Sequence, residues 1–112
     1  MLKLDEGNIR FSGKLAEIIG INESIMLSYI HEIYQAGSEE GLEYDGYKWV
    51  KLPMSDLIRG LRFWSGSTIK RIIASLEEKK VLISIVKNDD LFDRTKSYRI
   101  DHDLLDKLVS GE

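Results

Sequence analysis

The fifteen residues from Phe63 to Glu77, FWSGSTIKRIIASLE, constrain the fold more than any other stretch of this chain. Ser65 has the side chain of a helix N-cap and is placed to accept a hydrogen bond from the amide of Ser67 or Thr68. Trp64, just before it, is spaced to pack on Ile69 as a hydrophobic staple. Ile69, Ile72, Ile73 and Leu76 fall at i, i+3, i+4 and i+7, the pattern of one buried helical stripe. Ser67, Thr68, Lys70 and Arg71 are left facing outward near the positive end of the helix. Short polar donors and two cations in that position suit phosphate oxygens and a major groove.

Spacing and turn chemistry divide the rest of the chain. After an irregular lead-in over 1–11, Ser12 and Gly13 open a short helix over 14–19 that Gly20 stops. Asn22 is expected to cap a second helix, Glu23 to Ala36, with Met26, Tyr29, Ile30 and Ile33 as its stripe and Ile25 and Tyr34 widening it. Residues 37–46 read as an acidic, glycine-punctuated loop ending in Asp45-Gly46, a pair favoured in two-residue hairpin turns. A strand over 47–52 stops at Pro53. Ser55 is expected to cap a helix over 56–61 that buries Leu57, Ile58 and Leu61, with Gly60 either permitting close packing or marking the coming turn. Beyond the helix over 66–79, residues 81–87 and 95–100 read as the two strands of a hairpin. Asp101 or Asp103 is placed to cap a last short helix within 102–112, with Leu104, Leu105 and Leu108 on one side.

This order predicts a single α+β, mainly helical domain over 1–112: a winged helix-turn-helix with a small antiparallel sheet. The strand before the helix pair can complete that sheet, and the loop between the two late strands is the wing. In such folds the second helix of the pair reads bases while the first crosses the backbone. The expected DNA contacts are Ser67, Thr68, Lys70 and Arg71 on the second helix, Arg59 and Arg62 at the end of the first, and Lys87, Arg94 and Lys96 in the wing. Asp89, Asp90 and Asp93 near the wing tip would repel phosphate, and Arg94 is placed to pair with Asp93. Leu91 and Phe92 are expected to fold back on the core, the commoner fate, rather than to form a partner patch.

The net charge of −3 conceals an asymmetry. Residues 1–46 carry three Lys/Arg against nine Asp/Glu, residues 47–100 twelve against six, and residues 101–112 one against four. A basic middle between acidic ends is the electrostatic footprint of a polyanion binder more than the total suggests. The absence of cysteine excludes disulfides, thiolate nucleophiles and zinc–cysteine sites. No apolar run is long enough to span a bilayer, and the first residues lack a signal-peptide pattern, so a cytoplasmic location without membrane contact is expected.

Enzyme constellations are weak. His31 and His102, the two histidines, lie far apart in sequence and in no metal-ligand spacing. No Gly-x-Ser-x-Gly elbow or phosphate loop is present. No catalytic activity, cofactor or metal is expected. Trp49, Trp64, Tyr47 and Tyr98 have structural roles that outweigh a base-stacking reading.

Several of these motifs together carry a family resemblance. Asp45-Gly46-x-x-Trp49-Val50, Phe63-Trp64-Ser65-x-x-Thr68-Ile69-Lys70-Arg71, Leu76-Glu77 and Asp93-Arg94-Thr95-Lys96-x-Tyr98-Arg99-Ile100 look like the winged-helix N-terminal domain of phage and plasmid replication proteins, a group that includes DnaD-type replisome organisers. The Gly20-Ile21-Asn22-Glu23 turn is similar to the same pattern, so the resemblance covers most of residues 12–101. It implies a DNA-binding, self-assembling module, with Thr68, Lys70 and Arg71 at the matching recognition positions. Such proteins usually continue into a second domain that engages the replication machinery, whereas this sequence ends at Glu112.

The expected function is DNA binding in replication initiation or organisation of a phage or plasmid-type element, with DNA, replication proteins and further copies of the chain as partners. The alternatives are a transcriptional regulator and a protein-interaction module. For the latter, the acidic face of Glu32, Glu39, Glu40 and Glu43 would meet a basic partner.

Overall fold

The computed structural model describes residues 13–36 and 42–110, which form an α+β arrangement of five helices and a four-stranded antiparallel sheet. The elements are α1 (Gly13–Ile19), α2 (Ile21–Ala36), β1 (Leu42–Tyr44), β2 (Tyr47–Lys51), α3 (Met54–Gly60), α4 (Gly66–Glu78), β3 (Leu82–Ile85), β4 (Ser97–Ile100) and α5 (His102–Ser110). The expected lead-in over 1–11, Ser12 and the first part of the acidic loop, 37–41, lie outside the described residues.

Two helix starts are set by backbone rather than by the expected side chains. Gly20, at φ 109°, turns the chain sharply, and its carbonyl already accepts from Ser24 N at 2.9 Å. α2 therefore begins at Ile21, and Asn22 lies inside the helix instead of capping it. Pro53, not Ser55, is the N-cap of α3; its carbonyl accepts from Asp56 N at 3.0 Å and Leu57 N at 3.2 Å. Proline's fixed φ prepares that start without a capping side chain. α5 follows the expected chemistry, with Asp101 Oδ1 accepting from Leu104 N at 3.1 Å.

The sheet order is β1-β2-β4-β3. Asp45 (φ 58°) and Gly46 (φ 81°) make the tight turn between β1 and β2 that Asp-Gly predicts, with Tyr44 opposite Tyr47. Residues 42–44, expected as loop, are a strand because that turn lets them pair with β2. β2 then joins the late hairpin through Val50 opposite Tyr98, and β3 pairs with β4 through Ser84 opposite Tyr98.

The apolar stripe of α4 is buried as its spacing requires: Ile69, Ile72, Ile73 and Leu76. It meets Met26, Leu27 and Ile30 of α2, Leu57 and Leu61 around α3, and Val81, Leu82 and Tyr98 of the hairpin in one core. Leu27 was not in the expected stripe of α2; it is buried because α2 packs against α1, α4 and β2 at once. Ile58, expected inside, is 42% exposed. The seven-residue α3 turns Leu57 inward and leaves Ile58 beside the start of α4, where its Cδ1 would lie 3.3 Å from a Cβ at Gly66.

Candidate nucleic-acid interface

Ser65 caps α4 as the sequence predicts. Its Oγ accepts from Thr68 N at 3.2 Å and donates to Thr68 Oγ1 at 2.9 Å, with Ser67 Oγ 3.2 Å away. The cap fixes the first turn but occupies part of the hydrogen-bonding capacity that Ser67 and Thr68 would offer a ligand. Thr68 is half-buried, while Ser67, Lys70 and Arg71 are exposed.

The segment between β3 and β4 is an ordered loop. Asn88 Nδ2 donates to the carbonyls of Asp93 (2.6 Å) and Thr95 (3.0 Å), Asp93 N donates to Asp90 O, and Phe92 N donates to Asp90 Oδ1 at 2.9 Å. These bonds replace strand pairing, so β3 and β4 are shorter than the expected 81–87 and 95–100. They also hold Leu91 and Phe92 outward, at 86% and 91% exposure. The expected folding of these two side chains onto the core does not occur, because the clamped turn points them away from it.

Arg94 does not pair with Asp93. That carboxylate takes Lys51 Nζ at 2.9 Å and Thr95 N at 3.0 Å. The hydrogen bond from the Thr95 side chain, then Lys51, hold the Asp93 carboxyl well below the usual carboxylate range. Spacing alone favoured the adjacent arginine. The pairing of β2 with β4 instead brings Lys51 opposite Ser97 and within reach of the loop.

The nine expected contact residues divide into groups. Lys70 from α4 and Arg94 and Lys96 from the loop line one cleft of about 490 Å³, together with Ala74, Thr95 and Glu77. Lys96 is partly committed there, its Nζ 3.7 Å from Glu77 Oε2. Arg71 and Ser67 are exposed on α4 but do not line the cleft. Arg59 is ion-paired with Asp56 within its own helix, and Arg62 lies exposed in the turn before α4. Lys87 is drawn to the other end of the sheet, 4.7 Å above the Tyr44 ring. Among the described residues no carboxylate pairs with Arg62, Lys70, Arg71 or Arg94.

Sequence reasoning missed Lys51 and Glu77, the two residues that tie the loop to β2 and to α4. Nothing in their local spacing points to these partners; only register and packing give them. The aromatic residues behave mostly as framework. Trp49 and Tyr98 are buried, Trp49 Nε1 donates to Tyr44 O at 3.0 Å, and Tyr47 lies under the Arg99 guanidinium at 3.7 Å. Among the described residues, no three His, Cys, Asp or Glu side chains gather as a metal site, and no helix is long and apolar enough to cross a membrane.

Comparison with known proteins gives no matching family model, no matching curated protein and no matching solved structure.

Proposed function

We propose that this chain is a winged-helix, non-enzymatic DNA-binding protein that lays α4 in the major groove and sets the β3–β4 loop, as the wing, against the backbone. The observation that carries this reading is the shared cleft of Lys70, Arg94 and Lys96, which brings cations distant in sequence onto one surface beside the capped start of α4. Arg62 and Arg71 extend the positive surface, with no carboxylate of the described residues tied to them. Lys70 and Arg71 reach base edges or phosphates, and the wing cations reach phosphates. The resemblance of the motifs to phage and plasmid replication proteins supports a role in starting or organising replication of such an element.

Fluorescence anisotropy with a labelled duplex of mixed sequence tests this. Affinity is expected to fall by roughly 0.9 log unit per log unit of salt for each phosphate neutralised. The double variant Lys70→Ala, Arg71→Ala is expected to lose most binding while keeping its circular dichroism. Undiminished binding in the folded double variant removes α4 from the interface.

A second reading, a protein-interaction or self-assembly module, is favoured by the outward Leu91 and Phe92. Light scattering across concentration and salt separates the two: assembly without DNA retention supports the second.

A further inference from the structure

The two histidines, unconnected in the sequence, meet in the fold. His31 on α2 and His102 at the start of α5 stack edge to face, with ring centres 5.7 Å apart. They line a cavity of about 90 Å³ walled by α2, β2, β4 and the first turn of α5. Lys48 and Arg99 line it as well, beside Tyr34 and Tyr47. It shares only Tyr98 with the cleft between α4 and the loop, so it is a separate place on the molecule.

The chemistry of this wall is one-sided. No Asp or Glu lines the cavity among the described residues. The cations are held by aromatic faces instead of carboxylates: Lys48 Nζ is 5.5 Å from the Tyr34 ring centre, and the Arg99 guanidinium is 3.7 Å from that of Tyr47 and 5.3 Å from that of Trp49. Arg99 Nε is buried with no hydrogen-bond partner among the described residues, an N–H that usually finds an acceptor. Glu32, next to His31, and Glu43, opposite Lys48 in the β1–β2 pairing, do not line the cavity; Asp101 and Asp103 line the adjoining open hollow, and Asp101 is engaged in capping α5.

Two imidazoles at this separation would suit a transition metal, but Lys48 and Arg99 in the same wall repel a dication and no third ligand of the usual kind gathers there among the described residues. An anion reverses both objections. It relieves the crowding of like charges, pairs with the Arg99 side chain that lines the wall, and takes an imidazole N–H that is available in either charge state. A single water needs roughly 10–15 Å³, so the space admits a tetrahedral oxyanion.

We propose that the cavity between His31, Lys48, Arg99 and His102 is a phosphate-binding site, for either a free phosphate ion or the phosphate of a monoester. Proton NMR of the two histidine rings during titration tests it, with inorganic phosphate and a nucleoside 5′-monophosphate as probes and chloride at matched ionic strength as the control. Both rings are expected to shift saturably with phosphate and not with chloride. Lys48→Met, which keeps the stem against Tyr34, and Arg99→Lys, which keeps the charge but loses the planar fork, are each expected to weaken binding about tenfold. Lys70→Ala with Arg71→Ala is expected to leave it unchanged, so that the site stands or falls apart from duplex binding. Tighter binding of the nucleotide assigns the site to an ester, and equal binding assigns it to the free ion. Failure to saturate, equal shifts with chloride, or full affinity in folded Lys48→Met overturns the proposal.

Discussion

Lys96 at the base of the β3–β4 loop and Glu77 near the end of α4 form an ion pair, Nζ to Oε2 at 3.7 Å, inside the cleft that also holds Lys70 and Arg94. Glu77 accepts from Ser84 Oγ as well, so one carboxylate joins α4, β3 and the approach to β4. It is the acidic group in a cleft otherwise lined by cations and neutral side chains. An incoming phosphate must compete with it for Lys96.

Glu77→Gln keeps a partner for Ser84 and removes the competing charge. Duplex affinity is expected to rise about threefold to tenfold at low salt. The cost in stability is expected to stay within about 1 kcal/mol, since the pair is partly exposed. Anisotropy and urea unfolding check the two halves, and an unchanged or weaker affinity argues against phosphate in this cleft.

Gly60 tests the contact between α2 and α3. A Cβ at this position would lie 1.9 Å from Tyr29 Oη and 2.8 Å from its Cζ, so the glycine is there for close approach and not for the turn. Gly60→Ala gains about 1 kcal/mol of helix propensity. The overpacking is expected to outweigh it, for a net loss of about 1–2 kcal/mol. Adding Tyr29→Leu is expected to recover most of that loss in a double-mutant cycle, and simple additivity of the two changes rules the clash out.

Ser24 is fully buried on α2, and its hydroxyl has no hydrogen-bond partner among the described residues. Ser24→Ala removes an unsatisfied polar atom and adds helix propensity, so stability is expected to rise by about 1 kcal/mol. A higher urea midpoint with an unchanged slope confirms it. A lower midpoint means that the hydroxyl is satisfied after all.

Tyr98 links the core to alkaline stability. Burial, and then the Glu77 charge, push its phenol up to about 12. An unfolded phenol titrates at about 10. The folded value is the higher one, so the contribution is intact below about pH 10 and is lost as pH rises toward about 12. The urea midpoint is expected to fall across that window, and less steeply in Tyr98→Phe. Equal slopes in the two proteins place the alkaline loss elsewhere.

Elements with local causes were readable from the residues. The Ser65 cap and the stripe of Ile69, Ile72, Ile73 and Leu76 specify α4, Asp45-Gly46 specifies a tight turn, and an aspartate at 101 or 103 starts α5, because each rests on bonds or spacings within a few residues. The outward placement of Lys70 and Arg71 on α4 was legible in the same way. Tertiary structure alone decided what depends on partners distant in the chain. Strand register gave Asp93 to Lys51 rather than to neighbouring Arg94, and packing gave Lys96 to Glu77. The clamped loop, not hydrophobicity, set Leu91 and Phe92 outward, and the packing around α5 brought His102 to His31. Local spacing fixes which face of an element is apolar. Which charges meet across elements follows only when those faces are buried together, since burial sets the register and the register sets the neighbours.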